Sequence, residues 1–221
     1  TTHAFLPTKS KQRPINSCDV GIKPRLHSLP VELARKVTVR QASSDPLEQS
    51  LQRVVRILGK RRTSYCVIGA LALGAWGQPR TTQDLDLLVL LEGEKRARVL
   101  ADLERDGFTI DTKWARYNPM IRDRHIRLIR HTVPVDLLLP RDAHDEQVLK
   151  RRRRKTLGSL RLWVISAEDL ILHKLKAGRP RDFEDSLSVI VRQGNRLDLK
   201  YLTHWRNRLG LREELTYLLS R

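Results

Sequence analysis

The chain has 221 residues, of which 43 are Lys or Arg and 25 are Asp or Glu, for a formal charge of +18. No apolar run approaches the roughly 20 residues of a transmembrane helix, the first residues lack a signal-peptide pattern, and Cys18 and Cys66 make neither a metal-ligand pattern nor a disulfide framework, so a membrane protein and a disulfide scaffold are excluded and a reduced, cytoplasmic setting is expected. The positive excess points to a polyanionic partner such as nucleic acid or nucleotide phosphate.

Residues 1–45 read as a basic arm, mobile and broken by Pro7, Pro14, Pro24 and Pro30. A first helix is expected from Asp45-Pro46, with Asp45 as cap, Glu48 as its capping-box partner, Leu47, Leu51, Val54, Val55 and Leu58 as the apolar stripe and Gly59 as the stop. Tyr65 to Ile68 reads as a short strand ending at Gly69, followed by a short helix over 70–76. Strands are expected over 85–91, 125–130 and 133–139, the last two joined by a tight turn, with a helix over 94–106 closed by Gly107. Beyond Pro140 the composition shifts. A helix over 142–150 runs into the cationic segment Lys150 to Lys155. Leu160, Leu162 and Val164 alternate as in a strand. Ser166 caps a helix ended by Gly178, Pro180 starts another ended by Gly194, and the last thirty or so residues are amphipathic helix. The fold class is therefore α+β: a small mixed-sheet domain at 46–141 followed by a mainly helical region at 142–221.

The chemistry concentrates around two short segments. Val67-Ile68-Gly69-Ala70 is a strand turning into a helix, a geometry that presents backbone N–H groups to phosphate. Thirteen residues later stands Asp84-Leu85-Asp86. Arg80, Thr82, Asp84 and Asp86 are spaced by two, so an extended chain projects all four to one face. Two carboxylates on one strand face repel unless a hard divalent cation lies between them, and Arg80 adds a cation suited to phosphate oxygens. Asp136 is a third acid inside the apolar run Val133 to Leu139. If its strand neighbours that of Asp86, the three acids can hold two Mg²⁺ ions for in-line phosphoryl or nucleotidyl transfer.

These residues resemble the nucleotidyltransferase superfamily with the DNA polymerase β-like fold. Its pattern is a Gly-Gly or Gly-Ser turn, a gap of this size, Asp-x-Asp and a later third Asp. The segment Arg80-Thr81-Thr82-Gln83-Asp84-Leu85-Asp86 is similar to the Arg-x-Thr-x-Asp-x-Asp form of minimal members, including AbiEii-type toxins. Ser166 to Arg179 and Arg181-Asp182-Phe183-Glu184-Asp185 resemble their helical segment. The resemblance implies Asp84, Asp86 and Asp136 as metal-binding catalytic residues, with Mg²⁺ or Mn²⁺ as cofactor. It implies Gly69, Ala70, Arg80, Thr82 and Lys174 as contacts to a nucleoside triphosphate, with Asp182 or Asp185 as an accessory acid. Ala70 departs from the family pattern: it retains a backbone N–H but neither the hydroxyl of Ser nor the close approach of Gly.

Lys174 reads equally as a solvated lysine, and Asp182 and Asp185 also suit a helix start. The run Lys150 to Lys155 reads as a solvated loop or as a contact to nucleic acid. The four tryptophans are read as core and interface, and the histidines show no zinc spacing. The expected function is metal-dependent transfer of a nucleotide to a hydroxyl, with RNA, tRNA-like, as the acceptor favoured by charge. The resemblance adds a toxin role with an antitoxin or regulatory partner. The alternative is a catalytically silent nucleotidyltransferase-like domain that binds nucleic acid.

Overall fold

In the computed structural model residues 45–221 are described; apart from Asp45, the arm expected at 1–45 lies outside the described residues. Helix α1 spans Pro46–Lys60, capped as the sequence implies: the Asp45 carboxylate accepts from the Leu47 N–H at 2.9 Å, and Pro46 occupies the first turn. It buries Leu51, Val54, Ile57 and Leu58. The helix runs one residue past Gly59, because nothing at that position demands a left-handed turn. The Glu48 carboxylate reaches across to Ser159, accepting from its N–H at 3.3 Å and its hydroxyl at 2.5 Å.

The chain then lays down β1 (Tyr65–Val67), α2 (Gly69–Trp76), β2 (Leu85–Val89), α3 (Gly93–Arg105), β3 (Thr109–Ile110), α4 (Thr112–Tyr117), β4 (His125–Arg130) and β5 (Val133–Leu138). There follow α5 (Ala143–Arg151), β6 (Arg153–Leu157), β7 (Leu160–Val164), α6 (Ala167–Ala177), α7 (Pro180–Gln193), α8 (Leu199–Leu209) and α9 (Arg212–Leu219). The short β3 and α4 escape sequence reading because two and six residues are too few for a period to register.

Among the described residues the strands form one seven-stranded mixed sheet in the order β3-β4-β5-β2-β1-β7-β6. The class is α+β, as expected. Strand β2 is parallel to β5 and antiparallel to β1, while β1 is parallel to β7. The sheet draws β6 and β7 from beyond residue 141, so helices and strands of the C-terminal region continue the same layer. Its centre is apolar: Val67, Leu85, Leu87, Val135, Leu137 and Val164 are fully buried. Ser166 caps α6 by accepting from the Asp169 N–H at 3.2 Å, and Gly178 ends it in the left-handed region at φ 67°.

The run Lys150 to Lys155 is not a loop. Lys150 and Arg151 end α5, and Arg153 to Lys155 form the edge strand β6, paired antiparallel with β7. The side chains of like charge separate because a strand sends alternate residues to opposite faces. Arg154 stands directly opposite Trp163, and its guanidinium and that of Arg152 both lie 4.7 Å from the Trp163 ring. Lys155 lies 4.1 Å over Trp76. Arg151 turns inward, 3.2 Å from Glu168 and 3.7 Å over Tyr201.

Two glycines should respond oppositely to alanine. Gly59 is helical and nothing lies within 4 Å of an added Cβ, so Gly59→Ala should stabilise by about 0.5–1 kcal/mol, read as a rise in Tm of about 1–4 °C. Gly69 has φ +65°, and an added Cβ would sit 2.1 Å from Asp86 Oδ2; Gly69→Ala should lower Tm through both backbone strain and the displaced Asp86.

Candidate active site

The site lies where β1 ends and β2 and β5 begin their parallel pairing. The Ile68 N–H donates to the Asp86 carbonyl at 3.0 Å, which ties the end of β1 to β2. The chain then turns at Gly69 into α2. No side chain caps this helix start, so its first N–H groups face the site as candidate donors to an anion. Gly69 is required here by geometry, since the Asp86 carboxylate fills the space where a Cβ would stand. Ala70 is buried beside it.

Asp86 lies in β2 and pairs in register with Asp136 of β5. In a parallel pair, neighbours in register point to the same face, so the strand pairing alone brings these two acids together. Asp84 precedes β2. Arg80, Thr82 and Asp84 do not continue the strand as expected; they lie in irregular chain ahead of Leu85. They nevertheless border the same cavity of about 480 Å³ as Gly69, Ala70, Asp86, Asp136 and Lys174. One carboxylate oxygen from each of Asp84, Asp86 and Asp136 lies within 4.8 Å of the others, which is the convergence the spacing implied.

The surrounding cations are distributed unevenly. Asp136 is held in a two-pronged ion pair: Arg127 Nε donates to Oδ1 at 2.8 Å and a terminal nitrogen donates to Oδ2 at 2.7 Å. His125 Nε2 lies 3.0 Å from Oδ1. Trp114 of α4 braces both partners, with its ring 4.3 Å from His125 and 5.1 Å from the Arg127 guanidinium. His125 and Arg127 were not singled out from the sequence, yet a signal existed. The turn at His131-Thr132 pairs Arg130 with Val133, and stepping back three positions places Arg127 opposite Asp136.

Across the cavity a second network ties helices α6 and α7 to the Arg80 segment. The Lys174 ammonium is buried, 4% exposed, and donates to Asp182 at 2.9 Å and to Asp185 at 2.7 Å. It is therefore not a solvated lysine. Arg179 donates to Asp182 at 2.7 Å, and Arg80 grips Asp185 through two nitrogens, each at 3.1 Å. Removing Lys174, the buried cation of the set, typically costs about 3–5 kcal/mol, since it strands the opposing charges, whereas Arg179 is 73% exposed and contributes far less.

Asp84 and Asp86 are the exceptions. Among the described residues neither forms an ion pair with a cation; Asp84 accepts a hydrogen bond from the Thr82 hydroxyl at 2.5 Å. Burial raises the Asp86 carboxyl to about 6, with the charges of Asp84 and Asp136 adding to the shift. The opposite holds at Asp136, where burial works upwards but the contacts from Arg127 and His125 outweigh it and hold the acid below its ordinary range. Asp182 is likewise held low against its burial by Arg179 and Lys174. The donor set fits a hard divalent cation: carboxylate oxygens converge, and among the described residues two of the three acids form no ion pair.

No family model and no curated protein matches the chain. Solved structures do. The solution structure of the antibiotic-resistance factor ANT(2'')-Ia aligns over 76% of this chain and 96% of its own, at 14% identity and a TM-score of 0.53. The crystal structure of ANT(2'')-Ia in complex with adenylyl-2''-tobramycin aligns over 75% of this chain and 99% of its own, at 14% identity and a TM-score of 0.51. The lincomycin-bound lincosamide adenylyltransferase LnuA aligns over 64% and 95%, at 16% identity and a TM-score of 0.47. At the end of β1 and the start of β2, therefore, three acids and an uncapped helix stand on a sheet with the fold of the nucleotidyltransferases.

Proposed function

We infer that the protein transfers a nucleotide from a nucleoside triphosphate to an acceptor hydroxyl. The observation that carries this reading is that, among the described residues, Asp84 and Asp86 form no ion pair in a cavity where Asp136 and Asp182, and Asp185 beside it, each hold a cation. Asp84 and Asp86, with Asp136 as the third oxygen donor, would hold Mg²⁺ or Mn²⁺. When bound, the metal would supply positive charge to the phosphates and to the attacking and leaving oxygens.

The chain's own groups then have separate tasks. The N–H groups at Gly69 and Ala70 receive phosphate oxygens at the α2 N-terminus. Arg80, Lys174 and Arg179 border the same space, and they bring positive charge to the triphosphate while remaining tied to Asp182 and Asp185. Thr82 orients Asp84 through its hydroxyl. Arg127 and His125, braced by Trp114, keep Asp136 ionised and fixed in direction. In the reaction the acceptor oxygen forms a bond to the α-phosphorus, the bond from that phosphorus to pyrophosphate breaks, and the acceptor proton leaves to a carboxylate or to solvent. We assign to Asp136, the third acid of the set, the assistance to that departure.

The acceptor we assign is RNA, on the charge of +18 and the polyanion it favours. The role of toxin in a toxin–antitoxin pair, in the cytoplasm, rests on the likeness of Arg80 to Asp86 and Ser166 to Asp185 to that group. Among the described residues no helix is long and apolar enough to cross a membrane.

Incubation with each labelled nucleoside triphosphate and total RNA should place label on RNA. Asp86→Asn should reduce transfer by a factor of about 10² or more, by analogy with loss of one main electrostatic contributor, while leaving the fold intact. Growth arrest on expression, relieved by the same substitution, should accompany the toxin role. Unchanged transfer in Asp86→Asn removes the assignment of this acid; label on a small antibiotic and not on RNA reassigns the acceptor.

Protons should compete with metal at Asp86. Its folded carboxyl is raised to about 6 from 3.8, so between those values the folded protein binds more protons than the unfolded chain. Metal-free stability from this group therefore falls as pH rises through 6, and bound metal restores it. The increase in Tm produced by Mn²⁺ should accordingly grow from pH 5 to pH 7.5 and should be nearly flat in Asp86→Asn, as read by thermal unfolding.

A further inference from the structure

A second cavity, of about 420 Å³, lies at the far end of α2. Its cationic residues are Arg153 and Lys155 of β6, Arg192 of α7 and Arg196 in the single turn that follows α7. Arg153 and Lys155 share a face of the edge strand because they are two apart. Trp76, the last residue of α2, forms part of the wall.

These cations differ from four of the five Lys and Arg residues at the acidic site, Arg181 being the exception. There, Arg80, Arg127, Lys174 and Arg179 each pair with a carboxylate. Among the described residues Arg153, Lys155, Arg192 and Arg196 pair with none. The acid on the rim, Glu168, is already engaged, 3.2 Å from Arg151 and accepting from the Asp198 N–H at 3.1 Å. The groups are also held in place. Arg192 donates to the Gly77 carbonyl at 2.5 Å, and Arg196 donates to the carbonyls of Gln193 and Arg192 at 3.2 and 2.7 Å. The Trp76 indole N–H donates to the Ile165 carbonyl at 2.7 Å, and the Lys155 ammonium rests 4.1 Å over its ring. A guanidinium has five N–H donors, so Arg192 and Arg196 keep donors for a ligand. Four like charges gathered here, with the lining Glu168 already engaged by Arg151, suit an anion from outside.

The spacing suits a strand of nucleic acid. Helix α2 has eight residues, about 12 Å at roughly 1.5 Å per residue. Its first residue borders the acidic site and its last borders this groove. That length corresponds to about three or four stacked nucleotides at roughly 3.4 Å each. We propose that the groove formed by Arg153, Lys155, Arg192 and Arg196 binds the phosphate backbone of an RNA acceptor a few nucleotides from the end that enters the acidic site. The assignment of the acceptor strand rests on the transfer reading above; the binding of RNA in the groove does not.

The test uses the full chain and a fluorescent single-stranded oligouridine of about twelve nucleotides, within the usual span of single-strand sites, titrated by anisotropy at several salt concentrations. The variants are Arg153→Ser with Lys155→Ser, Arg192→Ser with Arg196→Ser, and a control pair, Arg98→Ser with Arg116→Ser, which removes the same charge elsewhere. Each groove pair should weaken binding about tenfold or more at low salt and reduce the log–log salt slope by about 1.4, at roughly 0.7 per lost phosphate contact on a single strand. The control pair should change both far less. Thermal stabilisation by Mg²⁺ with ATP should persist in all variants, showing that the fold and the acidic site survive. Equal loss in the control pair, or unchanged affinity in both groove pairs, overturns the groove. Tighter binding of the matching DNA oligomer overturns its assignment to RNA. The two readings separate cleanly. RNA binding lost in the groove pairs without any label transfer in the parent protein leaves the groove standing and removes the transferase reading. Transfer to RNA with an unchanged KM in both groove pairs does the reverse.

Discussion

Three carboxylates, of Asp84, Asp86 and Asp136, converge at one end of the sheet with Asp182 and Asp185 of α7 beside them, and the structure depends on how their charge is met. Asp136, Asp182 and Asp185 are each held by cations of the chain itself. Among the described residues Asp84 and Asp86 have no such partner, and burial together with the neighbouring negative charge lifts the Asp86 carboxyl to about 6. Carboxylates this close and this dry repel one another unless a counter-charge intervenes. The fold provides that counter-charge for three and leaves two facing the cavity, so the deficit is local and directed. A ligand carrying positive charge, and through it a triphosphate, meets two carboxylates that face the cavity without an ion-paired cation among the described residues.

The same networks position the elements that surround the site. Lys174, Asp182, Asp185, Arg80 and Arg179 join α6, α7 and the segment leading into β2. Lys174, Asp182 and Asp185 are buried, with Arg80 half-buried and Arg179 on the exposed side, so the C-terminal helices are tied to the segment leading into β2 by groups that shape the cavity wall. On the opposite side α4 contributes little to the core, having no buried residue, yet its Trp114 packs on His125 and Arg127. The helix acts through this contact, restraining the pair that restrains Asp136.

Positive charge is handled in two distinct ways. Around the acids, Arg80, Arg127, Lys174 and Arg179 are committed to carboxylates. On the edge strand β6 they are arranged by alternation, with Arg152 and Arg154 laid on Trp163 and with Lys155 turned to Trp76. Cations on an exposed edge also discourage pairing with another strand. One small chain thus presents a site with converging carboxylates and a groove lined by unpaired cations at opposite ends of one helix.

Much of this was legible before any coordinates. Local rules act over a few residues, so the capping of α1 by Asp45, the stop of α6 at Gly178, the strands holding Asp86 and Asp136, and the α+β class followed from spacing and composition. The three acids could be grouped because each interrupts an apolar run, where a charge needs a reason. What the sequence could not supply was partnership. Which cation faces which acid depends on strand order and helix packing between residues far apart in the chain, as with Arg80 and Asp185 or Lys174 and its two aspartates. Arg127 opposite Asp136 was within reach of the turn geometry but was hidden among many arginines. The basic run looked like a loop because six adjacent charges obscure a strand's alternation; only pairing with β7 revealed it, since an edge strand is defined by its neighbour and not by its own residues. Short elements such as β3 and α4 likewise owe their existence to the sheet they lean on, so their physical cause lies in tertiary structure alone.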